Sequence, residues 1–218
     1  MGRRFELIVF DWDGTLMDSA GMIVACVQAA ARDLGLVPPS DERARHIIGL
    51  GLHDALRHAL PDLPEGRYGE LAERYRQHYL SQDDQLRLFD GAAELVQTLS
   101  RRGHLLAVAT GKSRRGLDRA MAGSGLESYF LATRCADECH SKPHPQMLEE
   151  LMAELGAAAE TTLMIGDTTH DLLMARNAGV PAVAVAYGAH PVPDLAAALP
   201  VHLAHTMEDL AAWLTANG

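Results

Sequence analysis

Cysteine is scarce in this chain: Cys26, Cys135 and Cys139 are the only three. They are too few for a disulfide framework, and no secretory signal accompanies them. A reduced, cytoplasmic protein is expected. Positive charge is also short. Lys and Arg number 19 against 29 Asp and Glu, for a net charge of −10. That argues against nucleic acid or an anionic membrane as partner, since affinity for either rests on clustered positive charge. It leaves room for a small anionic substrate, which feels the local field of a site. No apolar run approaches the length of a bilayer span. Arg3-Arg4-Phe5 has the look of a twin-arginine signal, but the apolar run behind it is short and Asp11 ends it. Met1-Gly2 lacks the hydroxyl residue of an acylation site, because Glu6 stands there. Internal repeats and low-complexity tracts are absent.

What is present is a core. Of the 218 residues, 48% are hydrophobic, enough for one α/β domain with a modest insertion. Leu7-Ile8-Val9-Phe10 is short, apolar and rich in strand formers. It ends at Asp11 and Asp13. Residues two apart on an extended segment point the same way, so the two carboxylates converge just past the strand. Gly14 lets the chain turn away. Convergent carboxylates repel, and they need a cation, a shared proton or a lysine. An acidic surface turn is the plainer reading, but open α/β sheets place their chemistry at such strand ends.

Helical periodicity follows from about Met22 to Leu34, and Gly35 closes it. Ser40 is a plausible N-cap for Asp41 to Ile48. Further helices are predicted from His53 to Leu60 and from Tyr68 to Ser81. Residues 17–86 therefore read as an all-helical insertion, with 1–16 and 87–218 forming the α/β domain. After Phe89-Asp90-Gly91 the texture alternates. Strands are expected at Leu105–Ala109, Phe130–Thr133, Thr162–Ile165 and Ala182–Ala186, separated by helices near 91–102, 113–123, 145–155 and 169–178. Continuous apolar strands alternating with helices mean a doubly wound parallel sheet covered on both faces. Thr206 and Asp209 resemble a capping box for a last helix ending near Trp213.

Polar groups collect at the ends of these strands. Thr110-Gly111-Lys112-Ser113 follows the second, Ser141-Lys142-Pro143 a later loop, and Gly166-Asp167-Thr168-Thr169-His170-Asp171 the fourth. In this architecture that edge is the ligand crevice. Gly111-Lys112-Ser113 is too short a match for a P-loop, since Leu106 stands where its first Gly belongs. Lys112 then reads as a solvated side chain at a helix start. Cys135, Cys139, His140 and His144 have no common zinc spacing. Cys139 reads as an exposed thiol without a role. Arg101-Arg102 and Arg114-Arg115 read as solvated helix faces.

The run Asp11-Trp12-Asp13-Gly14-Thr15-Leu16-Met17-Asp18-Ser19 resembles the signature Asp-x-Asp-Gly-Thr-Leu-x-Asp-Ser of the haloacid dehalogenase superfamily, in its phosphatase branch. The later motifs follow in the family's order. The resemblance implies a Rossmann-like core with a helical cap, and a Mg²⁺-dependent phosphatase acting through an aspartyl phosphate. It implies Asp11 as nucleophile and Asp13 as general acid and base. Thr110 and the Gly111 amide would hold a phosphate oxygen, and Lys142 would neutralise the anions. Asp11, the carbonyl of Asp13 and Asp167 would hold Mg²⁺, with Asp171 in support. The partner would be a small phosphorylated metabolite, phosphoglycolate first, and the protein a monomer or small homo-oligomer. A sugar-phosphate mutase shares every motif. A signalling receiver, a different class, carries its phosphoacceptor later in the fold and has no such insertion. In the insertion, Arg45 and His46 precede Gly49-Leu50-Gly51. The matching corner of capped relatives faces the crevice, which makes Arg45 a candidate to bind a substrate carboxylate.

Overall fold

The computed structural model describes residues 4–218. Met1, Gly2 and Arg3, part of the acylation and twin-arginine readings, lie outside the described residues. Strands β1 (Leu7–Phe10), β2 (Leu105–Thr110), β3 (Ala132–Cys135), β4 (Thr162–Gly166), β5 (Ala182–Val185) and β6 (His202–Ala204) form one sheet. Their order is β3-β2-β1-β4-β5-β6, and every pairing is parallel. The chain builds outward from β1 to β3, then crosses back to place β4 on the other flank. That reversal opens a crevice at the carboxyl ends of β1 and β4.

The strands are apolar throughout because both faces are covered. Ile8, Phe10, Leu106, Val108, Leu163 and Ile165 face one layer, made by α5 (Ala92–Arg101), α6 (Arg114–Ser124) and α10 (Met207–Asn217). Leu7, Val9, Ala107, Ala109 and Met164 face the other, made by α7 (Gln146–Leu155), α8 (Thr169–Asn177) and α9 (Val192–Ala197). Each large apolar side chain buried this way contributes roughly 1.5–3 kcal/mol.

Four helices lie between β1 and α5: α1 (Ala20–Asp33), α2 (Asp41–His46), α3 (Leu52–Ala59) and α4 (Tyr68–Leu80). They have a core of their own, with Val27, Ala30, Ile47, Leu56, Leu71 and Ala72 at its centre. The two crossings into and out of this unit run side by side. The Asp18 amide donates to the Arg87 carbonyl at 3.0 Å, and the Phe89 amide donates to the Leu16 carbonyl at 2.9 Å. The unit sits over the carboxyl edge of the sheet as a cap, where the Gly51 amide donates to Ser141 Oγ at 2.9 Å.

Three elements differ from the sequence expectation. β3 begins at Ala132 rather than Phe130, because Glu127–Tyr129 forms a 3₁₀ turn and Leu131 is exposed. α9 and β6 have no counterpart in the sequence reading; they are six and three residues long. No helix among the described residues is long and apolar enough to cross a membrane.

Candidate active site

The expected strand-end residues meet at one point. Asp11 follows β1 directly, its amide donating to the Ile165 carbonyl of β4 at 2.9 Å. Asp167 follows β4, and Asp171 lies in the first turn of α8. Carboxylate oxygens of Asp11, Asp167 and Asp171 lie within 4.8 Å of one another, all buried. Gly14 has φ +80°, and a Cβ there would stand 2.2 Å from Asp167 Oδ2. Only glycine lets the turn after Asp13 pass so close to that carboxylate.

Lys142 is the cation among these anions. Its side chain is fully buried, with Nζ 2.6 Å from Asp171 Oδ1 and 2.9 Å from Asp11 Oδ1. Asp171 is itself engaged on both sides. Its Oδ2 accepts from the Thr168 hydroxyl at 2.6 Å and the Thr168 amide at 3.1 Å, while the Asp171 amide donates back to Thr168 Oγ1. This capping box starts α8 and aims Asp171 at the lysine. Burial opposes the lysine's charge, but Asp11 and Asp171 outweigh it and hold its pKa above the ordinary value.

Asp167 is held by Thr15 Oγ1, which donates to Oδ1 at 2.8 Å, and by the Ala189 amide, which donates to Oδ2 at 2.7 Å. Burial, then the neighbouring Asp11 and Asp171, raise its pKa well above the carboxylate range. Asp11 is less satisfied. Neither of its buried oxygens accepts a well-formed hydrogen bond; the Lys142 ammonium beside Oδ1 makes an ion pair without hydrogen-bond geometry. Burial pushes its carboxyl up to about 7, against the pull of Lys142. Three buried carboxylates with one lysine between them lack positive charge. An oxygen-only donor set of this kind fits a hard divalent cation.

Asp13 lines the cavity on the other side. Its Oδ1 accepts from Ser19 Oγ at 2.7 Å, and Lys112 Nζ lies 3.0 Å from both of its carboxylate oxygens. Lys112 is therefore not the solvated side chain that the sequence suggests. Its side chain is 8% exposed and also donates to Tyr79 OH of α4 at 2.8 Å. Thr110 is buried at the end of β2, where its Oγ1 accepts from the Lys112 amide. A Cβ on Gly111 would stand 2.5 Å from the Leu50 carbonyl oxygen, so the cap backbone rests directly on this loop.

The cavity between cap and core has a volume of about 740 Å³. Its floor is Asp11, Asp13, Thr110 and Gly111, and Ile23, Ile47 and Tyr75 are among its cap walls. Arg45 does not line it. Ala44 is the buried position of α2, and one residue on, about 100° round the helix, Arg45 points outward and is exposed. The expectation that Arg45 reads the substrate is therefore corrected. His46 lies outside the cavity too. Its carbonyl, at the end of α2, accepts from His170 Nε2 at 2.7 Å and His190 Nε2 at 3.1 Å, and its ring stacks on His190. A carbonyl can only accept, so both histidines carry their proton on Nε2. His190 Nδ1 in turn accepts from the Thr169 amide at 3.1 Å.

Cys139 is half-buried rather than exposed, and burial pushes its thiol up to about 11. Arg114 is not a free surface charge: it pairs with Glu138 and Asp118.

A profile of the haloacid dehalogenase-like hydrolases matches residues 8–185. The chain belongs to that family. The matched span begins inside β1, takes in the cap and closes at the end of β5. Three relatives are similar over most of the chain. "Probable phosphatase IndB" of Dickeya dadantii (strain 3937) is 40% identical, over 94% of this chain and 91% of that protein. A "5'-nucleotidase" of Pseudomonas aeruginosa is 34% identical, over 91% and 90%. A "Phosphoglycolate phosphatase" of Agrobacterium fabrum is 32% identical, over 86% and 83%. With this family and these relatives, the chain is an enzyme, a haloacid dehalogenase-like phosphatase.

Lys112 and Tyr79 are the parts of this site that sequence reasoning missed. Lys112 and Tyr79 are 33 residues apart and carry no shared pattern. The signal that was available is the position of Lys112, two residues past Thr110 at a strand end.

Proposed function

We propose that this chain hydrolyses a phosphate monoester through an aspartyl-phosphate intermediate, with Mg²⁺ bound beside the nucleophile. The observation that carries the reading is the pair of unequal carboxylates. Asp11 is buried with free lone pairs on both oxygens, and Asp13 lies two residues on, at the cavity face. An Asp11 oxygen attacks phosphorus, and the bond from phosphorus to the leaving alcohol breaks. Asp13 gives that alcohol its proton. Asp13 then takes a proton from the attacking water, which displaces the Asp11 carboxylate and releases phosphate. Lys142 balances the charge of Asp11 and the phosphoryl oxygens, and Asp171 keeps the lysine in place. Thr110 and the Gly111 amide would hold a phosphoryl oxygen. Asp11, Asp167 and the Asp13 carbonyl would hold the metal, with Asp171 supporting through Lys142. The bound cation would supply the positive charge that three carboxylates and a phosphate dianion need in order to coexist.

For the leaving part, phosphoglycolate is the first candidate, supported by the name of the Agrobacterium relative. The cavity has room for more than a two-carbon acid, and the Pseudomonas relative's name points to larger esters. A panel of phosphoglycolate, nucleoside monophosphates and sugar phosphates separates these readings, and transfer to a second sugar hydroxyl would mark a mutase. The primary test is simpler. The purified protein with Mg²⁺ should release phosphate from an aryl phosphate, EDTA should stop it, and Asp11→Asn should abolish it. Turnover that survives complete metal removal overturns the metal assignment, and an active Asp11→Asn enzyme overturns the nucleophile.

A further inference from the structure

Asp13 is held from two directions. Ser19, six residues along its own loop, donates to Oδ1. Lys112 meets both oxygens from the turn after β2. An ammonium has three N–H donors. Two of those on Lys112 go to Asp13 and the third goes to Tyr79 OH, whose ring lies 4.8 Å from Nζ. No donor is left over for a substrate. The side chain is nearly buried, so these partners are what make its charge tolerable. Tyr79 sits in the last turns of α4, on the cap, whereas Lys112 and Asp13 belong to the core.

We propose that Lys112 and Tyr79 are positioning residues for the Asp13 carboxylate, so that its orientation depends on the cap as well as on its own loop. The inference rests on Asp13 being the acid–base group of the proposed reaction. With Ser19 alone, a carboxylate on one hydrogen bond can turn about its own side-chain torsions. Lys112, anchored by the cap hydroxyl, fixes both oxygens at once. A purely structural ion pair between cap and core would instead affect all substrates alike. The distinction shows in the leaving group. An alkyl alcohol must be protonated as it departs, whereas an acidic phenol departs unaided, so only the alkyl ester needs a well-placed Asp13.

The experiment compares kcat/KM for an alkyl phosphate and a nitrophenyl phosphate, using the Mg²⁺-loaded wild type, Tyr79→Phe, Lys112→Met and the double variant. Tyr79→Phe keeps the ring and removes only the anchor. It should lose about tenfold or more on the alkyl ester, and less than about twofold on the aryl ester, as expected for misplacing a proton donor. Lys112→Met should show the same split, larger. The double variant should be no worse than Lys112→Met, because Tyr79 acts only through the lysine. Equal losses on both esters, no loss on either, or additive losses in the double variant overturn the proposal. Wild-type hydrolysis of the aryl ester checks the phosphatase reading separately. If it is absent, both readings fall; if it is present without the split, only the positioning role falls.

Discussion

Histidine 190 illustrates how a single buried group ties this enzyme's stability to pH. It is almost fully buried, and burial, helped by the neighbouring His170, pulls its pKa down to about 4. In the unfolded chain it would titrate near 6.5. Between those values the unfolded chain carries a proton that the folded one refuses. Stability attributable to this group is therefore complete above about 6.5, falls as the pH drops, and is gone near 4. A shift of this size corresponds to on the order of 3 kcal/mol. Glutamine in its place keeps an N–H for the His46 carbonyl and does not titrate. In urea melts, the wild type should lose more stability between pH 7 and pH 4.5 than His190→Gln does. Equal losses would mean that burial of this imidazole is not a source of the acid sensitivity. His170 is shifted in the same direction, again by burial first, so some acid sensitivity should remain in the variant.

Among the elements, the loop after β2 packs directly against the backbone of the cap. At Gly111 an added Cβ would meet the Leu50 carbonyl oxygen at 2.5 Å and the Gly49 carbonyl oxygen at 2.6 Å. Both are backbone atoms and cannot swing aside as a side chain would, so the cap itself must give way. Gly111→Ala should leave the protein folded, with a melting temperature within a few degrees of wild type. It should lower kcat/KM about tenfold or more on every ester, because a cap displaced from this loop misplaces the groups it brings to the site. A variant with unchanged kinetics would show that the cap does not need this contact. The same loop shows what could be read from the chain alone. The central strands were legible because burial on both faces makes them unbroken apolar runs. Asp11, Asp13 and Asp167 were legible because each stands just past the end of one, and Lys142 because it lies in the loop that follows β3. β6 was not, since His202-Leu203-Ala204 is too short to carry a period. Lys112 and Tyr79, and likewise His46, His170 and His190, come together only through the closure of cap on core. No local spacing encodes that closure. Arg45 was misplaced for a related reason: the glycines beside it do approach the core, but the helix rotation that decides which side chain follows them is set by Ala44.

At the level of the whole molecule, the two chain crossings beneath the cap lie against each other, Asp18 bonded to Arg87 and Leu16 to Phe89. From the sheet's side, almost seventy residues leave and return as if through a hairpin. Their ends are near enough to be joined by a tight turn of about two residues. A shortened chain with residues 19–86 replaced by Asn-Gly should therefore still fold as the six-stranded sheet, giving a cooperative thermal transition and a mixed helix–strand circular dichroism spectrum. A chain that never folds cooperatively would mean that the insertion is integral to the core. A doorway this narrow makes the cap an exchangeable cassette. Its length and sequence can change there without disturbing a single strand of the sheet, whereas any change that removes the Tyr79 hydroxyl would reach Asp13 through Lys112.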